Sequence, residues 1–278
     1  MISLVSASAL LADAGSYTIV DARRAHEYHA GHIPGSVLVS WEDLCEPAPS
    51  GTDPILQQPG WWGILRTPGD MVEHFAARGI SDDQPIVVYA DGIASFGRDG
   101  RIAWILLYMG ARSVYLLDGG WQVWLRAGGG SEEQSRPVRR GQFTAAIQHR
   151  RRALLPDIIA GYQSGKPPLL VDTRSQEEYD GVKPDYYLPR KGHLPGAVLC
   201  PFAHLYGDGG AFVDRDGYLA RMSRELSGGG QIAAYCEVGV RASSFALLHE
   251  LYTGQVVSVF DGSLMQCGLE SSLPVLRT

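Results

Sequence analysis

Leu169-Leu170-Val171-Asp172-Thr173-Arg174, then Glu178-Tyr179, then Gly192-His193-Leu194-Pro195-Gly196 decides the fold, because the chain has already written this pattern once. The earlier copy is Tyr17-Thr18-Ile19-Val20-Asp21-Ala22-Arg23, Glu27-Tyr28 and Gly31-His32-Ile33-Pro34-Gly35, with the same Asp-x-Arg-x-x-x-Glu-Tyr spacing. The second copy carries ten extra residues before its Gly-His, within a Pro/Tyr-rich stretch at 181–191. Two later matches follow. Pro85-Ile86-Val87-Val88-Tyr89 answers Gln231-Ile232-Ala233-Ala234-Tyr235, and Val114-Tyr115-Leu116-Leu117-Asp118-Gly119-Gly120 answers Val256-Val257-Ser258-Val259-Phe260-Asp261-Gly262. Short apolar, β-branched runs read as buried strands, and residues 69–78, 101–110 and 242–252 read as helices between them. Three such strands in each half, alternating with amphipathic helices, predict an α/β chain of two tandem domains. Each domain is expected to be a mostly parallel sheet covered by helices on both faces.

Between the halves, Gly128-Gly129-Gly130-Ser131-Glu132-Glu133-Gln134-Ser135-Arg136-Pro137 is polar and glycine-rich, the composition of a linker. The expected organisation is a first domain at 1–128, a linker at 129–150 and a second domain at 151–278. The linker runs into a basic region (Arg139, Arg140, Arg150, Arg151, Arg152) that reads as solvated surface or interdomain contact, with an anion site as the alternative.

Composition narrows the classes. At 278 residues and 45% apolar, the chain can fill two cores without disulfide staples. Its four cysteines, Cys45, Cys200, Cys236 and Cys267, are scattered, with no CxxC pair and no metal-ligand spacing, which fits a reducing cytoplasm. A formal charge of -6 argues against general nucleic-acid binding. Residues 1–11 lack a basic n-region and are serine-rich, so no signal peptide is expected, and no apolar run reaches membrane-spanning length.

The chemistry concentrates at Cys236-Glu237-Val238-Gly239-Val240-Arg241. Cys236 ends an apolar strand, one glycine lets the loop turn, and a helix opens from Arg241. Backbone amides and the positive helix end converge on such a position, a setting that favours a thiolate nucleophile. In open α/β sheets, ligands gather outside the carboxyl ends of the strands, where Cys236 falls. The first half ends its matching strand Tyr89-Ala90-Asp91, with no thiol, and its loop at 92–100 is longer. It is expected to be inactive and to help form the cleft.

The paired Asp-x-Arg and Gly-His-[Ile/Leu]-Pro-Gly signatures, with Tyr-Cys-x-x-Gly-x-Arg in the second copy only, resemble the rhodanese family, in particular its tandem-domain thiosulfate and 3-mercaptopyruvate sulfurtransferases. The resemblance implies two rhodanese-like domains, the second catalytic. It also implies no cofactor or metal, and a persulfide on Cys236 that carries sulfur from thiosulfate or 3-mercaptopyruvate to cyanide or a thiol. Glutathione and thioredoxin are among the acceptors it offers. Two other functions remain open at this point. One is a persulfide carrier or thiol-sensing module charged by a protein partner. The other is a phosphatase or arsenate reductase, against which the six-residue loop counts, since related phosphatases enclose five residues between Cys and Arg rather than four.

The substrate-binding candidates are Glu237, Val238, Gly239, Val240 and Arg241 of the loop, with Arg174, Arg190 and Lys191 outside it. Gly239 gives the loop room to curl. Arg174 is either a cation for an anionic donor or the partner of Asp172, and Arg190 and Lys191 are expected at the pocket rim. Glu237 would repel a dianionic donor if it faced the pocket, with Arg241 able to offset it. Asp21, Asp172, His32 and His193 recur in the half without a nucleophile, so they are expected to be structural. Cys267 is expected to pack in a core, with resolution of a persulfide as a disulfide the alternative, and Trp121 and Trp124 to lie between the domains.

Overall fold

The structure, a computed structural model, describes residues 1–52, 62–183 and 188–278. The chain divides into two compact units. The first comprises Met1–Leu44, Arg66–His149 and Tyr206–Phe212, and the second Cys45–Leu65, Arg150–Leu205 and Val213–Thr278. Each unit thus takes in a short segment from the other half of the sequence.

In the first unit the order is β1 (Ile2–Val5), α1 (Ala7–Ala12), β2 (Thr18–Asp21), α2 (Ala25–Ala30), β3 (Val37–Leu38), α3 (Pro68–Ala77), β4 (Ile86–Tyr89), α4 (Arg98–Met109), β5 (Val114–Leu117) and α5 (Gly120–Arg126). The second repeats it with β6 (Arg152–Ala153), α6 (Leu155–Gln163), β7 (Leu169–Asp172), α7 (Gln176–Asp180), β8 (Val198–Leu199), α8 (Arg215–Arg221), β9 (Ile232–Tyr235), α9 (Val240–Thr253), β10 (Ser258–Phe260) and α10 (Ser263–Leu269). The sheets share one strand order, β1-β5-β4-β2-β3 and β6-β10-β9-β7-β8, and all the strand pairings within them are parallel. The central strands β4 and β9 are buried at every residue, which is why they read as unbroken apolar runs. Helices α4 and α9, each following a central strand, are buried along most of their length and bounded by left-handed glycines (Gly97 and Gly110; Gly239 and Gly254).

Three strands in each sheet match the sequence reading, and two in each do not. β3, β6 and β8 are two residues long and carry no periodicity, and β1 with α1 occupies the N-terminal run. β6 lies within the basic region, of which Arg151 and Arg152 are engaged internally while Arg139, Arg140 and Arg150 are exposed. Arg151 meets Glu250 at 2.5 and 2.8 Å, and Arg152 meets Asp261 at 2.7 Å. Trp121 and Trp124 join the core of the first unit with Tyr89, Val87 and Leu117.

The repeated signature is a structural lock. Asp172, at the end of β7, accepts from the Arg174 backbone N–H at 3.0 Å and from its Nη2 at 2.5 Å, while Nη2 also donates to the Gly192 carbonyl at 2.7 Å. The Leu194 N–H donates to Tyr235 Oη at 3.1 Å, tying the Gly-His turn to β9. The first unit repeats this with Asp21, Arg23, Gly31, Ile33 and Tyr89, whose hydroxyl donates to Asp21 at 2.6 Å. His193 stacks on Tyr179 with centroids 3.7 Å apart, as His32 does on Tyr28 at 3.8 Å. Buried ion pairs of this kind are costly to break from one side, by about 3–5 kcal/mol, because the remaining charge stays buried.

Candidate active site

Cys236 follows β9 directly, and only 1% of it is exposed. β9 lies between β10 and β7, so the thiol sits at the carboxyl edge of the middle strand of five. Its backbone is fixed by the start of α10. The Cys236 N–H donates to Ser263 Oγ at 3.1 Å, the Leu264 N–H to the Cys236 carbonyl at 3.3 Å, and the Met265 N–H to the Glu237 carbonyl at 3.0 Å. Ser263 holds φ at +49°, a strained value for a residue with a side chain, and its hydroxyl donates to the Phe260 carbonyl at 2.6 Å. The loop then turns through Gly239 at φ +81°, and the first backbone bond inside α9 is Ser243 N–H to the Gly239 carbonyl at 3.1 Å. The amides of Val240, Arg241 and Ala242 therefore have no helical acceptor, the ordinary condition of a helix start. That end of α9 suits an anion.

A segment far away in sequence backs this loop. Gly63, at φ +74°, lies so close that a Cβ there would stand 2.6 Å from the Val238 carbonyl oxygen and 2.9 Å from that of Asp261. Leu65 N–H donates to Asp261 Oδ2 at 3.2 Å, and Trp62 and Ile64 pack into the second unit's core beside Val238. Sequence reading missed Gly63 and Ser263. The only sequence signal for the first is a Trp-Gly pair in a stretch without periodicity, and for the second a serine after Asp-Gly.

The charged candidates divide sharply. Arg241 donates to both oxygens of Glu178 at 2.8 and 3.0 Å and to Glu237 at 2.9 Å. Burial alone would lower its pKa, but Glu178, followed by Cys236 and Glu237, raises it well above the ordinary value. The guanidinium is thus within electrostatic reach of Cys236, yet two carboxylates already engage it. Arg174 is fully buried on Asp172 and Gly192, so the ion-pair alternative is the one realised. Arg190 spends its Nη2 on the carbonyls of Cys267, Glu270 and Leu273 at 2.6–2.9 Å, fixing the C-terminal segment. Lys191 reaches the Lys183 carbonyl at 3.4 Å. Of the eight binding candidates, the five loop residues follow Cys236 directly in the chain, and the three outside the loop make the contacts just described.

The remaining thiols sit in apolar surroundings. Burial pushes Cys200 up to about 11 and Cys267 up to about 12, so both are protonated at neutral pH. Among the described residues no cluster of His, Cys, Asp and Glu is placed to hold a metal ion. In the first unit Ala90 follows β4, and Asp99 takes the second position of α4, where α9 has Arg241.

A sequence model of the Rhodanese-like domain matches residues 5–127 and again 156–267. This chain belongs to the rhodanese family of sulfurtransferases. Among its relatives is a probable 3-mercaptopyruvate sulfurtransferase of Pseudomonas aeruginosa, 33% identical over 83% of this chain and 81% of that protein. A putative thiosulfate sulfurtransferase, SseB of Mycobacterium tuberculosis, is 30% identical over 90% of this chain and 84% of its own length. The rhodanese fold also relates the chain to SseA of Escherichia coli, with a TM-score of 0.77 at 23% identity, covering 95% of this chain and 99% of that one. The anaerobic ergothioneine biosynthesis enzyme of Chlorobium limicola superposes with a TM-score of 0.82 at 22% identity, covering 99% of this chain and 70% of that one. No helix among the described residues is long and apolar enough to cross a membrane.

Proposed function

We propose that this rhodanese transfers sulfur through a persulfide on Cys236, from thiosulfate or 3-mercaptopyruvate to cyanide or a small or protein thiol. The observation that carries the reading is the placement of Cys236. It is a free cysteine directly after the central strand β9, under the loop that opens α9, and its counterpart in the first unit is Ala90. With thiosulfate, the Cys236 thiolate attacks the outer sulfur, a new S–S bond forms, and the donor's S–S pair leaves with sulfite. With 3-mercaptopyruvate, the C–S bond breaks instead, and the thiol proton passes to the enolate to give pyruvate. The resulting Cys-S-S⁻ is stabilised by loop amides and the α9 start. Acceptor attack on the outer sulfur then restores the thiolate, a ping-pong cycle. The domain at 151–278 is the catalytic part of this scheme, and the domain at 1–128 plays no part in bond-making. A nucleophile that must remain a free thiol suits the cytoplasm.

Intact-mass measurement after incubation with each donor tests the reading. One added sulfur is expected, lost on addition of cyanide and absent in Cys236→Ser. A chain that takes up no sulfur from either donor refutes small-molecule transfer and favours a carrier charged by a protein.

A further inference from the structure

The loop that cradles the sulfur contains one cation, and that cation is neutralised from both sides. Arg241 makes a two-point contact with Glu178 and a third bond to Glu237, at 2.8–3.0 Å. Glu178 is nearly fully buried and is held in place by the start of α7, where its carboxylate accepts from the Ser175 N–H at 2.9 Å. The half-exposed Lys183 stands 3.6 Å from the same carboxylate. Glu237 is adjacent to Cys236 in the chain and remains part-exposed at 17%. Among the described contacts of Arg241, one guanidinium meets two carboxylates, with a half-exposed ammonium 3.6 Å from Glu178 that solvent screens. The Glu237 carboxylate thus opposes the pull that the α9 start exerts on an anion, and opposes it more for a dianion than for a monoanion.

We propose that Glu237, locked onto Arg241 opposite Glu178, is the specificity-determining residue that makes the Cys236 loop favour sulfur donors of low negative charge over dianions. The proposal rests on the sulfur-transfer reading above and narrows its donor class. Coulomb energy scales with the donor's charge, so removing the Glu237 charge should help a dianion by the square of the factor by which it helps a monoanion. A pair of donors isolates this term. Thiosulfate carries two negative charges and methanethiosulfonate one, and each gives its outer sulfur to the Cys236 thiolate. One S–S bond forms to Cys236 and one breaks, and the released electron pair leaves with sulfite or with methanesulfinate. The difference between the leaving groups cancels when each variant is compared with the wild type on the same donor.

The test is kcat/KM for both donors in wild type, Glu237→Gln, Glu237→Asp and Glu133→Gln. Glutamine keeps an acceptor for Arg241, aspartate keeps the charge, and Glu133 is an exposed carboxylate in the linker. Glu237→Gln is expected to raise kcat/KM about tenfold for thiosulfate and about threefold for methanethiosulfonate, with the gap narrowing as ionic strength rises. Glu237→Asp and Glu133→Gln should leave the ratio of the two donors unchanged. Equal factors for the two donors in Glu237→Gln overturn the proposal, as does the same ratio change in Glu133→Gln. If mass measurement shows a Cys236 persulfide from both donors while the ratio stays fixed, the transfer reading stands and the charge-selection proposal falls. If neither donor leaves a persulfide, both fall.

Discussion

Asp99→Asn in the first unit should stabilise the protein, and by an amount that depends on pH in a defined way. Asp99 is the second residue of α4, and its side chain is completely buried. Its Oδ1 accepts the Gly100 N–H at 2.8 Å. A helix start favours a carboxylate by up to about 1 kcal/mol, but burial outweighs that here and pushes the group from near 3.8 up to about 6, with Asp91 adding to the rise. A carboxyl whose folded pKa is raised stabilises the fold in its neutral form. That contribution is complete below the unfolded value and is lost as pH climbs through the folded one. The gap between about 6 and 3.8 corresponds to about 3 kcal/mol of stability given up at pH 8, and to about 1 kcal/mol at pH 4.5. Asparagine retains an acceptor for Gly100 and carries no charge at either pH. Urea unfolding of wild type and Asp99→Asn at both pH values, followed by near-ultraviolet circular dichroism, measures the difference. The expected gain is about 3 kcal/mol at pH 8, falling by about 2 kcal/mol at pH 4.5. A gain that is the same at both pH values, or a loss at pH 8, would refute the argument.

Two further substitutions probe how the Cys236 loop is held. Ser263→Ala leaves the buried Cys236 N–H and Phe260 carbonyl without their shared partner, and should cost about 1–3 kcal/mol in urea unfolding and slow persulfide formation in stopped-flow assays. Ser263→Gly relaxes the φ of +49° and should recover about 1 kcal/mol of that loss, a difference the same titration reads directly. Gly63→Ala forces a Cβ against the Val238 and Asp261 carbonyls at a backbone angle that alanine resists, and backbone atoms yield less readily than side-chain tips. It is expected to destabilise by about 2–4 kcal/mol and to lower kcat/KM for both sulfur donors together. Wild-type stability in this variant would show that the segment does not press on the loop.

The sequence made the strand–helix alternation legible because the central strands are buried on both faces and read as unbroken apolar runs, as in Ile86-Val87-Val88-Tyr89. It left β3, β6 and β8 invisible because two residues carry no period. The end of β9, the turn at Gly239 and the placement of Cys236 were readable, since a strand, a glycine and a helix follow one another locally. What surrounds the thiol was not. Arg241 and Glu178 are 63 residues apart, and Leu65 and Asp261 are 196 apart, so no spacing rule connects them. The local order of strand, glycine and helix was visible in the sequence, and the distant partner of Arg241 was not.

The duplication itself separates structural residues from chemical ones. The Asp-x-Arg lock, the stacked Tyr–His pair and the tyrosine hydroxyl under the Gly-His turn recur in both units with nearly equal geometry. They stabilise the same strand-to-turn junction whether or not chemistry follows, so they carry no information about the reaction. Two of the differences between the copies lie beside the Cys236 loop. Ala90 stands where Cys236 does, and the buried Asp99 stands where Arg241 does at the second residue of the following helix. A carboxyl there brings no positive charge to an anionic sulfur, whereas Arg241 carries one within electrostatic reach of Cys236. The first unit therefore has neither a thiol after its central strand nor a cation at the second position of the following helix. A cysteine placed at Ala90 alone should form no stable persulfide, because Asp99 would still occupy the helix start. Pairing Ala90→Cys with Asp99→Arg tests which of the two differences matters more, read as sulfur uptake in a Cys236→Ser background.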